Sequence, residues 1–179
     1  MTDMRMRADP SSGYPGRTYR FYTGPKVYEF GYGLSYSKYS YKFVSVAKNN
    51  IQFDQSSTHL MVENSETVRY KLVSELSEET CQSMSFSVTL GVTNHGSMMG
   101  KHPVLLFMRQ TKHRHGNPIK HLVGFKSVKL DGGERSEVRF KLNPCEHFSI
   151  ANEAGLKVIE EGSYLLLAGE EEYPLYIII

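Results

Sequence analysis

Residues 83–93 read Ser-Met-Ser-Phe-Ser-Val-Thr-Leu-Gly-Val-Thr, with an apolar side chain at every even position from Met84 to Val92. A period of two sends alternate side chains to opposite faces, so the stretch predicts an antiparallel-type strand with one face on a core and the other in water. Turn-forming residues at 94–100 interrupt it. Residues 104–108, Val-Leu-Leu-Phe-Met, follow as a continuous apolar run that reads as a strand buried on both faces. Residues 121–125 and 128–130 extend again. Asp131-Gly132-Gly133-Glu134 then predicts a hairpin turn, because glycine reaches positive φ at no steric cost. Val138, Phe140 and Leu142 alternate with charged residues on the return strand. Residues 39–46 open the series with the same alternation. Residues 164–168 and 175–179 close it, joined through Gly169 and the solvated tip Glu170-Glu171-Glu172.

Helical periodicity is confined to residues 146–153, where one turn is expected after Pro144; Glu78-Glu79 reads as a loop. Roughly seven strands separated by turn residues predict an all-β, antiparallel sandwich of the immunoglobulin/fibronectin type III-like kind. Residues 1–37 lie outside that pattern as an irregular, aromatic-rich N-terminal segment.

Composition narrows the function classes. Lys plus Arg number 21 against 19 Asp plus Glu, a net charge of +2, so no nucleic-acid or anionic-membrane partner is indicated. The basic run Lys112-His113-Arg114-His115 leads into Gly116-Asn117-Pro118 and reads as a solvated loop. No apolar run approaches the ~20 residues of a membrane-spanning helix. The start, MTDMRMRADP, carries charges where an export signal needs an apolar core, which predicts a cytosolic location for the chain as written.

The densest pattern is YPGRTYRFYTGPKVYEFGYGLSYS at 14–37, too aromatic for a solvated linker and too rich in Gly and Pro for a helix. It resembles the segment joining the second and third domains of glycoside hydrolase family 3 enzymes, in their plant β-D-xylosidase/α-L-arabinofuranosidase branch. Val92-Thr93-Asn94-His95-Gly96 running on to Phe107 is similar to the start of that family's fibronectin type III-like domain. Lys120-His121-Leu122-Val123-Gly124-Phe125, the turn at 131–134 and Gly162-Ser163-Tyr164-Leu165 are similar to its later strands. Glu29 stands where the family more often has proline. The resemblance implies residues 1–37 as the end of a preceding domain plus linker, and 38–179 as the fibronectin type III-like domain. It also implies an extracellular parent enzyme.

Retaining glycosidases of this family need two carboxyl groups about 5–5.5 Å apart. Both belong to domains upstream of the matched region, so the resemblance implies no catalytic residue here and an inactive chain whose partners are those catalytic domains. The residues themselves agree with that expectation. Asp131 is used in its turn, Asp3 and Asp9 lie in a polar tail, and adjacent Glu170, Glu171 and Glu172 do not all face one way. His113 and His115 have a spacing an extended strand can offer to a metal, yet no carboxylate or thiol follows, so neither metal nor cofactor is expected. No G-x-S-x-G elbow occurs, and Gly31-Tyr32-Gly33 lacks a phosphate-loop context. The resemblance further places Cys81 and Cys145 at adjacent ends of neighbouring strands. Because the family is secreted, the resemblance implies a Cys81–Cys145 disulfide, with two separate buried thiols as the alternative. The aromatic cluster likewise leaves two readings: rings buried on partner domains, or a platform for xylan or arabinan oligosaccharides with Tyr19, Tyr22 and Tyr32 as candidates.

Overall fold

The computed structural model describes residues 4–63, 66–112, 116–152 and 154–179. After a 3-10 turn (Pro10–Ser12) and a one-turn helix α1 (Thr18–Phe21), the strands run β1 (Tyr39–Val46), β2 (Asn50–Gln52), β3 (His59–Glu63) and β4 (Glu66–Leu72). A 3-10 turn (Val73–Glu75) leads to α2 (Glu78–Ser83), β5 (Phe86–Asn94), β6 (Gly100–Gln110), β7 (His121–Leu130) and β8 (Arg135–Leu142). Helix α3 (Pro144–His147), β9 (Ile150–Ala151), β10 (Lys157–Glu160), β11 (Gly162–Ala168) and β12 (Glu171–Ile178) complete the order.

Three sheets result: β1-β5-β8, β2-β12-β11-β6-β7 and a side sheet β3-β4-β10-β9. The first two face each other as the sandwich. Its interior collects the inward positions of both, with Val88, Leu90, Val92, Val104, Leu106, Leu166 and Leu175 at zero exposure. The alternation in β5 thus marks its core face. Its opposite face is not in water throughout: Thr89 is buried, and a Cβ at Gly91 would meet the Arg135 guanidinium and Val44. The strand is central, flanked by β1 and β8, and their side chains fold over it.

Several expectations change. The turn at 131–134 is not a hairpin, since β7 and β8 belong to different sheets; the chain turns a corner between layers. Gly133 takes φ +78, and a Cβ at Gly132 would strike the Ser97 carbonyl at 2.7 Å, so glycine is required by close approach as well as by φ. Glu78 and Glu79 lie in a helix, α2, whose N-cap Ser77 hydroxyl accepts from the Thr80 N–H at 3.1 Å, with both carboxylates in the first turn. The expected turn at 146–153 begins instead at Pro144, with Asn143 as its cap, and ends at His147. Glu171 and Glu172 are part of β12, leaving Glu170 to the turn, and Glu172 pairs with Arg109 at 2.8 Å. Strands β2, β3, β4, β9 and β10 add to the expected set. Cys81 in α2 and Cys145 in α3 are joined by a disulfide across 64 residues, with Cα atoms 5.7 Å apart.

Rings close the gap between β1 and β6. Tyr39 lies flat on His102, centroids 3.8 Å apart, and the Tyr41 hydroxyl and His102 Nε2 are hydrogen-bond partners. Burial holds the His102 pKa below its ordinary 6.5. Burial, and then neighbouring Tyr39, pushes Tyr41 up to about 12. A lowered histidine contributes stability that is present above its unfolded pKa and lost as pH falls. A raised tyrosine contributes stability that is present below its unfolded value and lost as pH rises. Unfolding free energy is therefore expected to be highest between the ordinary values of 6.5 and 10.0, declining on either side. His121, also lowered chiefly by burial, adds to the acid limb. Urea titrations across pH test this: His102→Gln should make the acid limb shallower, and an unchanged limb would remove His102 from the account.

Candidate functional site

The segment 14–37 forms a strap across the outer face of the five-stranded sheet. Its first half is tied down by backbone bonds: Arg17 N–H to the Met6 carbonyl at 2.9 Å, Thr23 N–H to the Pro15 carbonyl at 2.8 Å, and Ile119 N–H to the Arg20 carbonyl at 2.7 Å. Gly16, at φ +82, has the Phe21 carbonyl and Ala8 nitrogen where a Cβ would stand. Thr18 holds a positive φ of 59, costly for a β-branched residue, and its carbonyl accepts the Tyr22 N–H at 2.9 Å.

The strap grips the sheet through rings. Tyr19 stacks on Phe30 with centroids 4.4 Å apart, and both meet Phe107 of β6 edge-on, at 5.9 and 6.1 Å. The Tyr19 hydroxyl accepts from the Leu122 N–H at 3.1 Å. The Lys120 ammonium lies 5.1 Å from the Phe107 centroid and 3.5 Å from Glu29, which also meets Lys26 at 3.0 Å. Lys26 first, and Lys120 after it, hold the Glu29 carboxyl below the usual carboxylate range.

Past this anchor the strap turns to solvent. Val27 is 89% exposed and Tyr36 fully so, and Tyr28, Phe30, Tyr32 and Leu34 all stand open. Tyr28 and Tyr32 stack on each other, 4.8 Å apart and 10° from parallel. The three candidate tyrosines therefore have different surroundings: Tyr19 is clamped against the sheet, the Tyr22 hydroxyl donates to the Pro25 carbonyl at 3.3 Å, and Tyr32 is exposed beside Tyr28. Sequence reasoning passed over Phe107, Tyr28, Phe30 and exposed Phe125. The outward phase of β6 and β7, had it been followed, carries the signal for Phe107 and Phe125.

At the strap's N-terminal side a cavity of about 880 Å³ lies between residues 5–9 and the side sheet, lined by Arg5, Arg7, Phe21, Met61, Ile150 and Glu160 among others. Its charged walls are engaged. Arg5 pairs with Asp9 at 2.5 Å, and hydrogen bonds from Ser11, Ser12 and Arg5 hold Asp9 far below the carboxylate range. Arg7 Nε donates to the Gly116 carbonyl at 2.7 Å, and Glu160 accepts from Gln110 at 2.9 Å.

Three carboxylates elsewhere are engaged in ion pairs: Glu161 with Arg69 at 2.7 Å, Glu172 with Arg109 at 2.8 Å, and Asp54 with Lys71 at 3.4 Å. The described histidines hold the fold together. His59 meets Glu75 at 2.8 Å, His95 meets Ser40 at 2.6 Å, and His121 Nε2 bonds to the His147 carbonyl at 2.6 Å. His113 and His115 lie outside the described residues. Among the described residues, no three His, Cys, Asp or Glu side chains converge as for a metal ion.

Comparison with known proteins matches the strand region and the strap alike. The fibronectin type III-like domain family matches residues 102–172. The chain is 52% identical to "Probable beta-D-xylosidase 7" of Arabidopsis thaliana, over 99% of its own length and 23% of that protein's. It is 37% identical to "Beta-xylosidase/alpha-L-arabinofuranosidase 1" of Medicago sativa subsp. varia, again over 99% of the chain but 22% of the relative. A GH3 exo-beta-xylosidase solved with a xylobiose aziridine activity-based probe superposes with a TM-score of 0.71 at 26% identity, covering 98% of this chain and 22% of that one. The chain thus spans under a quarter of the length of these relatives. It belongs to the glycoside hydrolase family 3 xylosidase-like proteins, as their C-terminal, fibronectin type III-like part.

Proposed function

We propose that this chain is the non-catalytic, structural portion of a β-xylosidase/α-L-arabinofuranosidase-type hydrolase acting on xylan- and arabinan-class cell-wall carbohydrate. In this reading residues 38–179 form the accessory domain, and residues 1–37 are the end of the preceding domain and the linker that contains the strap. The nucleophile and the acid/base reside in the part of the parent outside this chain. The exposed apolar side chains of the strap carry the reading: Tyr28, Tyr32, Leu34 and Tyr36 stand open beside an anchor that clamps Tyr19 and Phe30, so one part of the segment is seated and the other open. Contiguous apolar exposure of this kind marks a surface built to be covered. The catalytic domains of the same polypeptide are the occupant. The Cys81–Cys145 bond supports a parent that is exported and works in an oxidising, extracellular setting.

The purified chain is expected to hydrolyse aryl β-xylosides and aryl α-arabinofuranosides no faster than buffer, and turnover above buffer overturns the reading. The exposed Tyr28–Tyr32 pair favours one rival, a sugar-binding module. Titration with xylo- and arabino-oligosaccharides separates the two: saturable binding lost in Tyr28→Ala and Tyr32→Ala would establish the module instead.

A further inference from the structure

Strand β11 pairs with β6 only along Phe107, Met108, Arg109 and Gln110, so the rest of the β6–β7 hairpin runs on as a two-stranded ribbon. The ribbon's inner face packs into the sandwich through Val104, Leu106 and His102. Its outer face carries three directly opposed pairs: Lys101 with Lys129, Pro103 with Ser127, and Leu105 with Phe125. Phe125 is 71% exposed.

Like charges directly opposite on one face of a ladder are destabilising. Here the pair is exposed, and neither ammonium has a carboxylate partner among the described residues. A fold with a net charge of only +2 does not force two lysines into register. Continuity with the strap gives the pair a context. A Cβ at Gly31 would touch Leu105 at 2.9 Å, so the strap's open rings and the ribbon's outer face adjoin.

We infer that the ribbon's outer face extends the docking surface of the strap, and that its occupant is a carboxylate-bearing, apolar patch on the catalytic portion of the same protein. Carboxylates brought over Lys101 and Lys129 neutralise their repulsion, while Leu105 and Phe125 supply the apolar contact. This rests on the structural role proposed above and adds the chemistry of the counter-surface. Free and docked states then respond differently to charge.

The test titrates the chain against the rest of the Arabidopsis relative, produced as a separate polypeptide, at low and high salt. Wild-type association should weaken with salt. Lys101→Glu/Lys129→Glu preserves a like-charge pair, so the free chain should keep its melting temperature while association falls at least about tenfold. Single Lys101→Glu creates an opposed ion pair and should raise the melting temperature of the free chain. Association insensitive to both salt and the double reversal overturns the basic face and leaves the strap's role standing. No association by the wild-type chain overturns both.

Discussion

Asn94→Ala is expected to remove about 3 kcal/mol of unfolding free energy, because four backbone groups, one buried and three partly buried, lose their partner at once. Asn94 ends β5 with zero exposure. Its amide nitrogen donates to the carbonyls of Met98 at 2.9 Å, Asp131 at 3.1 Å and Leu130 at 3.3 Å, and its oxygen accepts the Gly96 N–H at 2.9 Å. One side chain thus fastens the β5–β6 loop to the corner where the chain crosses between sheets. Backbone bonds from Asn94 N–H to Glu134 and from Gly133 N–H to Asn94, both 2.9 Å, remain in the variant and keep the corner nearby. Asn94→Asp should also be damaging, because it sets a carboxylate against three carbonyl oxygens. Urea denaturation of both variants is the measurement, and a loss below about 1 kcal/mol would reduce the cluster to a single ordinary hydrogen bond.

Removing the disulfide ranks with it. Cys81→Ala/Cys145→Ala should cost about 4 kcal/mol through the loop closure that the unfolded chain no longer carries. The bond ties α2 to α3 just beyond the last rung of the β5–β8 ladder, where Phe86 opposes Leu142, so it staples the end of the central pair. Reductant should lower wild-type stability by a similar amount and leave the double variant unmoved. Equal stability of wild type and variant in non-reducing buffer would overturn the prediction.

How much was legible depends on range. The core face of β5 and the inward residues of β8 were plain, because a strict period of two is a local signal. The side sheet was not: residues 59–72 mix charged and apolar side chains without clean alternation, and the sheet's strands are only two to seven residues long, with β4 gaining β10 from far along the chain. Asp131-Gly132-Gly133-Glu134 suits a hairpin and a corner equally, since its glycines specify a sharp turn and not the sheet that receives the next strand. In the strap, Gly and Pro erase periodicity. Nothing local distinguishes Tyr19, clamped on Phe107, from Tyr32, left in water.

The topology also sets a timescale. Strand β1 meets β5 only across the β2–α2 excursion, and parallel pairing sets Asn50 beside Tyr176, near opposite ends of the sandwich sequence. Ladders of such high contact order close in milliseconds to seconds, not microseconds. Throughout that interval Phe107 and Leu105 have yet to receive the strap, and its rings have no sheet to grip. A nascent chain therefore carries its stickiest segment unprotected for the whole search, which makes folding yield, more than final stability, the property most exposed to chain concentration.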